Sequence, residues 1–275
     1  MKFSVKSIIF LLLASVNILV AQNKLRGNKT VVTENRDLSN FTKIEIRGNI
    51  DVILTQSNGQ SVVVETDENL QFAVLTEVKD NTLVVSLFKK ITKKKVLYVY
   101  ITVDEYVDEI VTKDKAKITS DGVFNFNTFE INAEGDSKIS MDIKTDQFIL
   151  NNNESANVNF TVSTEHASIN ANKKGKAKIN VSSNTIELLT QGSSSIELLG
   201  NCKEILITTE NKSNVRASKL ECDAAIVNAS DGSDVHVNSK ESISVSAINS
   251  SEIYIYSNPE ITIEKFTDKA ILRKK

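Results

Sequence analysis

The chain has 275 residues, 40% of them hydrophobic and 25% charged, with two cysteines, one proline, no tryptophan and a formal net charge of −2. A chain of this length can bury a sizeable core. Its slightly acidic balance supplies no electrostatic footprint for nucleic acid, which excludes that class of partner.

Lys2 and Lys6 precede an apolar run from Ile8 to Val20, and Ala21-Gln22 offers a small residue at a cut point. This is the pattern of a signal peptide over residues 1–21. The run is short for about 30 Å of hydrocarbon and Asn17 interrupts it, which favours a cleaved leader over a membrane anchor. No Cys follows the run, so a lipid-modified N-terminus is not expected. Removing residues 1–21 takes two lysines and no acid, leaving 31 basic against 35 acidic residues and a formal charge of −4. No later segment is apolar enough to span a membrane. The expected location is outside the cytoplasm, either the periplasm or the cell surface and beyond.

Residues 22–36 read as a linker and residues 37–109 as an irregular N-terminal β subdomain that caps the remainder of the chain. Ile44 and Val52 stand eight residues apart, a separation that recurs later in the chain. Ser61–Glu65 and Val96–Val103 read as strands, Asp67–Thr76 as room for a short helical turn, and Glu77–Val85 as a hairpin with Asp80-Asn81 at its tip. The one basic run, Lys89, Lys90, Lys93, Lys94 and Lys95, reads as a solvated hairpin tip. A contact with anionic glycan or lipopolysaccharide is the alternative.

Residues 110–275 read as a repeat array. One apolar register runs through Ile131, Leu150, Ile169, Leu188, Ile207, Val227 and Val245, in steps of 19, 19, 19, 19, 20 and 18 residues. A second, eight residues behind, runs through Ile139, Val158, Ala177, Ile196, Val215, Val235 and Ile253 in the same steps. Apolar residues alternate around each position, as in Phe129/Ile131/Ala133 and Val158/Phe160/Val162, which puts them on one face of a strand. One unit alone cannot bury that face, but stacked units can. The expected fold is therefore all-β: a right-handed β-helix or β-solenoid with coils of about 19 residues, rising about 4.8 Å per coil. Ile261–Ile263 and Leu272–Lys275 read as its C-terminal cap.

The array explains several residues that resemble chemistry. Ser137, Ser194, Ser213, Ser233 and Ser251 align in the turns; with no matched His they read as corner packing and not as nucleophiles. Cys202 and Cys222 lie one coil apart, so a disulfide can staple adjacent coils in an oxidising compartment. Two stacked reduced thiols are the alternative. His166 and His236 are several coils apart and lack a metal-like neighbour set. No catalytic residue, metal site or cofactor is expected. One outward row remains as a ligand-facing strip: Asn132, Asn151, Asn170, Thr208, Asn228 and Ser246, interrupted by Leu189. Tyr254 and Tyr256, outward near the last coil, are added to it as sugar-stacking candidates, with shielding of the rod's end as the equal alternative. A self-satisfied ladder of amides and hydroxyls is the plainer account of the row.

The stretch Phe41, Ile44, Ile46, Gly48, Ile50, Asp51, Val52, Leu54 and Gln56 resembles the opening of the GIN-domain family, bacterial exported proteins described as auto-transporter adhesin heads. The resemblance continues through Val62–Glu65, Asn69–Val78, Thr82–Val85 and the Gly/Ser/Asp turns. It implies a right-handed β-helix-like fold and an exported location, and it supplies no catalytic residues. No membrane-barrel region follows residue 275, so a complete self-exporting autotransporter is not expected. The function expected is a non-catalytic binding or adhesion-type module that contacts carbohydrate or an envelope component. The alternatives are a β-helix polysaccharide lyase or hydrolase, which the five scattered arginines disfavour, and a structural or assembly protein of the envelope. Homo-oligomers through solenoid faces or ends are compatible with all three.

Overall fold

The computed structural model of the chain describes residues 24–275; the signal peptide read at residues 1–21 lies outside the described residues. Both apolar registers become ladders of parallel strands. The first ladder pairs Ile110 with Ile131, Ile131 with Leu150, and so on through Ile169, Leu188, Ile207, Val227 and Val245 to Ile263. The second pairs Ile118 with Ile139 and continues through Val158, Ala177, Ile196, Val215, Val235 and Ile253 to Leu272. The protein is a β-solenoid of about nine turns. Parallel pairing between coils satisfies the backbone, and the stacked Ile, Val and Leu side chains exclude water. Each such side chain fully buried contributes roughly 2 kcal/mol.

The turn between the two flanks of each coil repeats as well. Four residues after the first register stand Asp114, Gly135, Glu154, Lys173, Gly192, Asn211, Asp231 and Asn249, and every one has positive φ. These turns reverse the chain at the cost of one left-handed residue in the first five and two in the last three, Asn211-Lys212, Asp231-Gly232 and Asn249-Ser250, a conformation that Gly, Asn and Asp tolerate best. The serines of the same turns point inward. Ser137, Ser194, Ser213, Ser233 and Ser251 are all buried. Ser137 accepts from Thr112 Oγ1 at 2.9 Å, Ser194 donates to Ser213 Oγ at 3.2 Å, and Ser251 donates to the Ala229 carbonyl at 3.0 Å.

The array begins earlier than its regular spacing in the sequence. Ile44 and Val52 join the two ladders above Ile110 and Ile118, and Leu83 and Val99 join them above Ile44 and Val52. Spatial order therefore departs from chain order: the coil made by residues 82–103 lies outside the coil made by residues 43–56. The cap proper is antiparallel. Ser61–Asp67 pairs with Leu97–Val103, and Val74–Lys79 pairs with Thr82–Leu87, with a 3-10 turn at Glu68–Ala73 between them. Asp80 and Asn81 form the expected hairpin tip, both with positive φ.

Three expectations are corrected. The linker at residues 22–36 is structured where described: Lys24–Arg26 pairs with Lys90–Lys93, and Val31–Arg36 pairs with Ser61–Asp67 as an antiparallel edge. These edge strands bury little, so they show no clean apolar alternation. The basic run is accordingly no hairpin tip, because Lys90–Lys93 is a strand in a parallel pair. The C-terminal segments are not a cap but one more coil. Glu260–Phe266 stacks on Asp234–Ala247, and Ile271–Lys274 stacks on Glu252–Tyr256. Among the described residues nothing lies beneath that coil, so Ile263 is 55% exposed although Val245, directly above it, is 0% exposed.

Candidate ligand-binding face

Outward side chains of the first flank fall into three columns. The column after the register holds Asn132, Asn151 and Asn170, which form a continuous amide ladder. Asn170 Nδ2 donates to Asn151 Oδ1 at 3.1 Å, Asn151 Nδ2 donates to Asn132 Oδ1 at 2.9 Å, and Asn132 Nδ2 donates to Glu109 Oε1 at 2.9 Å. The ladder stops at Leu189, which is 37% exposed. Thr208, Asn228 and Ser246 continue the same column, each paired in register with the next. The row is thus half a self-satisfied ladder and half a run of polar groups facing solvent.

Beside it lies a feature that no spacing in the sequence announces. The column before the register reads Ser168, Glu187, Leu206, Ile226, Ser244 and Thr262. The column two residues further back reads His166, Thr185, Glu204, Ala224 and Ser242. Together with Gln147, on the coil before His166, they line a groove of about 690 Å³ that runs across seven coils along the solenoid axis. Leu206 and Ile226 form an apolar floor at its middle, Ile226 with half its surface exposed. Glu187 and Glu204 supply its carboxylates, and His166 Nδ1 stands 2.6 Å from Thr185 Oγ1 at one end. The small residues Ala224, Ser168 and Ser242 keep it open. The one available sequence signal was the break in polarity at Leu206 and Ile226, two adjacent coils with outward apolar residues.

The tyrosines belong elsewhere. Tyr254 and Tyr256 lie on Glu252–Tyr256, on the second flank, and so share no surface with the asparagine row. Both faces of the Tyr254 ring are occupied. His236, on the coil above, stacks on it at 4.5 Å with the planes 12° apart, while Arg273, on the coil below, holds its guanidinium 5.9 Å from the ring centre. A sugar cannot stack there without displacing one of them. Its hydroxyl is held above the ordinary phenol range by the Glu252 carboxylate to which it donates. His236 lies 3.2 Å from Asp234 and 3.1 Å from the Tyr256 hydroxyl.

Cys202 and Cys222 are register partners on adjacent coils, with Cα atoms 4.5 Å apart and their sulfurs joined. Among the described residues, no group of three His, Cys, Asp or Glu side chains is placed to hold a metal ion. No helix among them is long and apolar enough to cross a membrane.

The fold is that of a β-solenoid with a long open groove along its first flank. The chain belongs to the family described as "Putative auto-transporter adhesin, head GIN domain", whose model matches residues 40–165 and 150–259. A solved structure from Parabacteroides distasonis titled "Putative lipid binding protein" is similar, with 17% identity, 92% of this chain and 100% of that chain covered, and a TM-score of 0.68. A "putative adhesin" from Parabacteroides merdae shares 15% identity over 92% of this chain and 99% of its own, with a TM-score of 0.66. Another from Parabacteroides distasonis shares 18% identity over 91% and 99%, with a TM-score of 0.64. No curated protein matches the chain. At these identities the three structures establish the fold.

Proposed function

We propose that the protein is an exported, non-catalytic adhesion module that holds an extended glycan chain in the groove of its first flank. The groove itself carries this reading. It is long, open on its solvent side, apolar at the floor and polar at both rims. A chain of pyranose rings presents C–H faces that suit Leu206 and Ile226, and hydroxyls that suit Ser168, Glu187, Glu204 and Ser242. Thr208 and Asn228 extend the polar rim toward the asparagine row. The adhesin description of the family supports the class.

A second reading has one observation in its favour. The apolar floor also suits an acyl chain, and the similar structure from Parabacteroides distasonis carries a lipid-binding title. An acyl chain in so open a groove keeps one side in water, which forfeits much of the gain from burial.

The test is a glycan array probed with the wild type and with Ala224→Trp, which fills the groove from a half-buried outward position. Binding to a defined glycan set by the wild type, lost in Ala224→Trp, is the expected result. Equal binding by both proteins, or displacement of a fluorescent fatty acid with no glycan bound, overturns it. Shortened glycan products that vanish in Glu187→Gln or Glu204→Gln would instead establish the hydrolase or lyase alternative.

A further inference from the structure

The capped end of the solenoid concentrates positive charge that the sequence distributes over seventy residues. The strand Lys24–Arg26 lies beside Lys90–Lys93, with Lys24 opposite Lys90 and Arg26 opposite Lys93. Arg26, Lys29, Lys93, Lys94 and Lys95 line a single hollow of about 810 Å³. A buried carboxylate fastens it. Asp67, 0% exposed, accepts the backbone N–H of Lys29 on one oxygen and that of Lys95, at 2.7 Å, on the other. One acid thus locks together the two loops that carry the lysines, of which Lys29, Lys93 and Lys95 are exposed. Burial pushes the Lys94 ammonium below its ordinary pKa, against the pull of Asp51 4.0 Å away. This basic end stands on a protein whose overall charge is slightly negative.

Apolar side chains adjoin the charge. Phe72 is 60% exposed, Phe88 58% and Leu75 43%. The backbone N–H of Phe88 donates to the Ala73 carbonyl, which sets Phe88 beside the residue that comes after Phe72. Leu75 pairs with Ser86, so by strand alternation it shares the outer face of the hairpin with Phe88. Lys89 holds its ammonium 5.3 Å from the Phe88 ring, and the lysine strand begins at the next residue. Acids near this end include the exposed Glu68 and Glu77 and, beside Lys94, the half-buried Asp51.

From this juxtaposition we infer that the capped end docks on a bilayer of anionic phospholipid. Exposed aromatic and aliphatic side chains bordering clustered lysines form a surface suited to the headgroup region, with the apolar groups at the acyl boundary and the cations on lipid phosphates. An acidic polysaccharide would use the lysines and leave Phe72, Phe88 and Leu75 without a role. Docked in this way, the solenoid would project its ligand groove away from the lipid.

The experiment is vesicle co-sedimentation of the protein in the form the cell exports. Vesicles of phosphatidylcholine alone are compared with an equal mixture of phosphatidylcholine and phosphatidylglycerol. The wild type is expected to bind the mixture and not the neutral vesicles, and to be released by high salt. Lys90→Glu/Lys93→Glu/Lys95→Glu is expected to weaken binding by about a hundredfold or more. Phe72→Ser/Phe88→Ser is expected to weaken it by about tenfold. Both variants keep their backbone pairing, and an unchanged far-ultraviolet spectrum verifies their fold. Equal binding to both vesicle types overturns the proposal, as does binding that survives the charge reversal. Tight binding to a soluble acidic polysaccharide such as heparin, untouched by Phe72→Ser/Phe88→Ser and without vesicle binding, overturns it in favour of that ligand.

Discussion

Cys202 and Cys222 occupy matching positions on adjacent coils, 4.5 Å apart at Cα, so the solenoid's translation brings together two residues twenty apart in sequence. The expected state in the exported protein is a disulfide. Alkylation before reduction should label no thiol, and alkylation after reduction should label two. Closing a loop of this size removes unfolded-state entropy worth about 3 kcal/mol. Cys202→Ala/Cys222→Ala should therefore lower the stability measured by urea unfolding by about 2–3 kcal/mol. Two free thiols in the freshly isolated protein would sink the prediction.

Asp67 ties the cap together and makes it sensitive to acid. Burial raises its pKa, but the backbone N–H groups of Lys95, Lys29, Asp67 and Val96 together outweigh burial and hold the carboxyl below its ordinary value. A depressed folded pKa contributes stability that is fully present above the unfolded value of about 4 and is lost as the pH falls through the folded value. Asp67→Asn should cost about 2 kcal/mol at about pH 7, and the gap from wild type should shrink at about pH 3. A pH-independent gap would show that the carboxylate charge is not what fastens the loops.

Gly200 sits directly against the backbone of the preceding coil. Its φ is +109°, and a Cβ built there would stand 2.1 Å from the Val181 carbonyl oxygen. Backbone and not a flexible side chain blocks the space, so the coils must part to admit a methyl group. Gly200→Ala should destabilise by about 2 kcal/mol or more. A variant melting with the wild type would refute the close approach.

Val245 and Ile263 hold equivalent ladder positions but differ in burial, 0% against 55% exposed. Val245→Lys should prevent folding or cost more than about 4 kcal/mol, because it buries an unpaired charge. Ile263→Lys should cost less than about 1 kcal/mol, since its ammonium reaches water. Comparable losses in the two variants would mean that the last coil is covered in solution.

The sequence by itself determined the coil. Its period, its two apolar registers, the inward serines and the cysteine pair are all legible, because neighbouring coils are related by a nearly constant shift of 19 residues. Under such a shift, alternation tells which way a side chain faces, and spacing tells which residue lies above it. The asparagine ladder came from the same rule. Only the tertiary structure decided what breaks the shift. Residues 57–81 leave the array and return, so Leu83 stacks above Ile44 instead of below it. No repeat predicts the antiparallel pairing that covers that end, nor the meeting of Lys29 and Lys95 on Asp67. Tyr254 and Tyr256 do not join the asparagine strip, because alternation gives outwardness alone and their strand occupies the other flank of the coil. The groove is illegible in the sequence for a related reason: it is assembled from side chains of seven coils, and no single coil carries it.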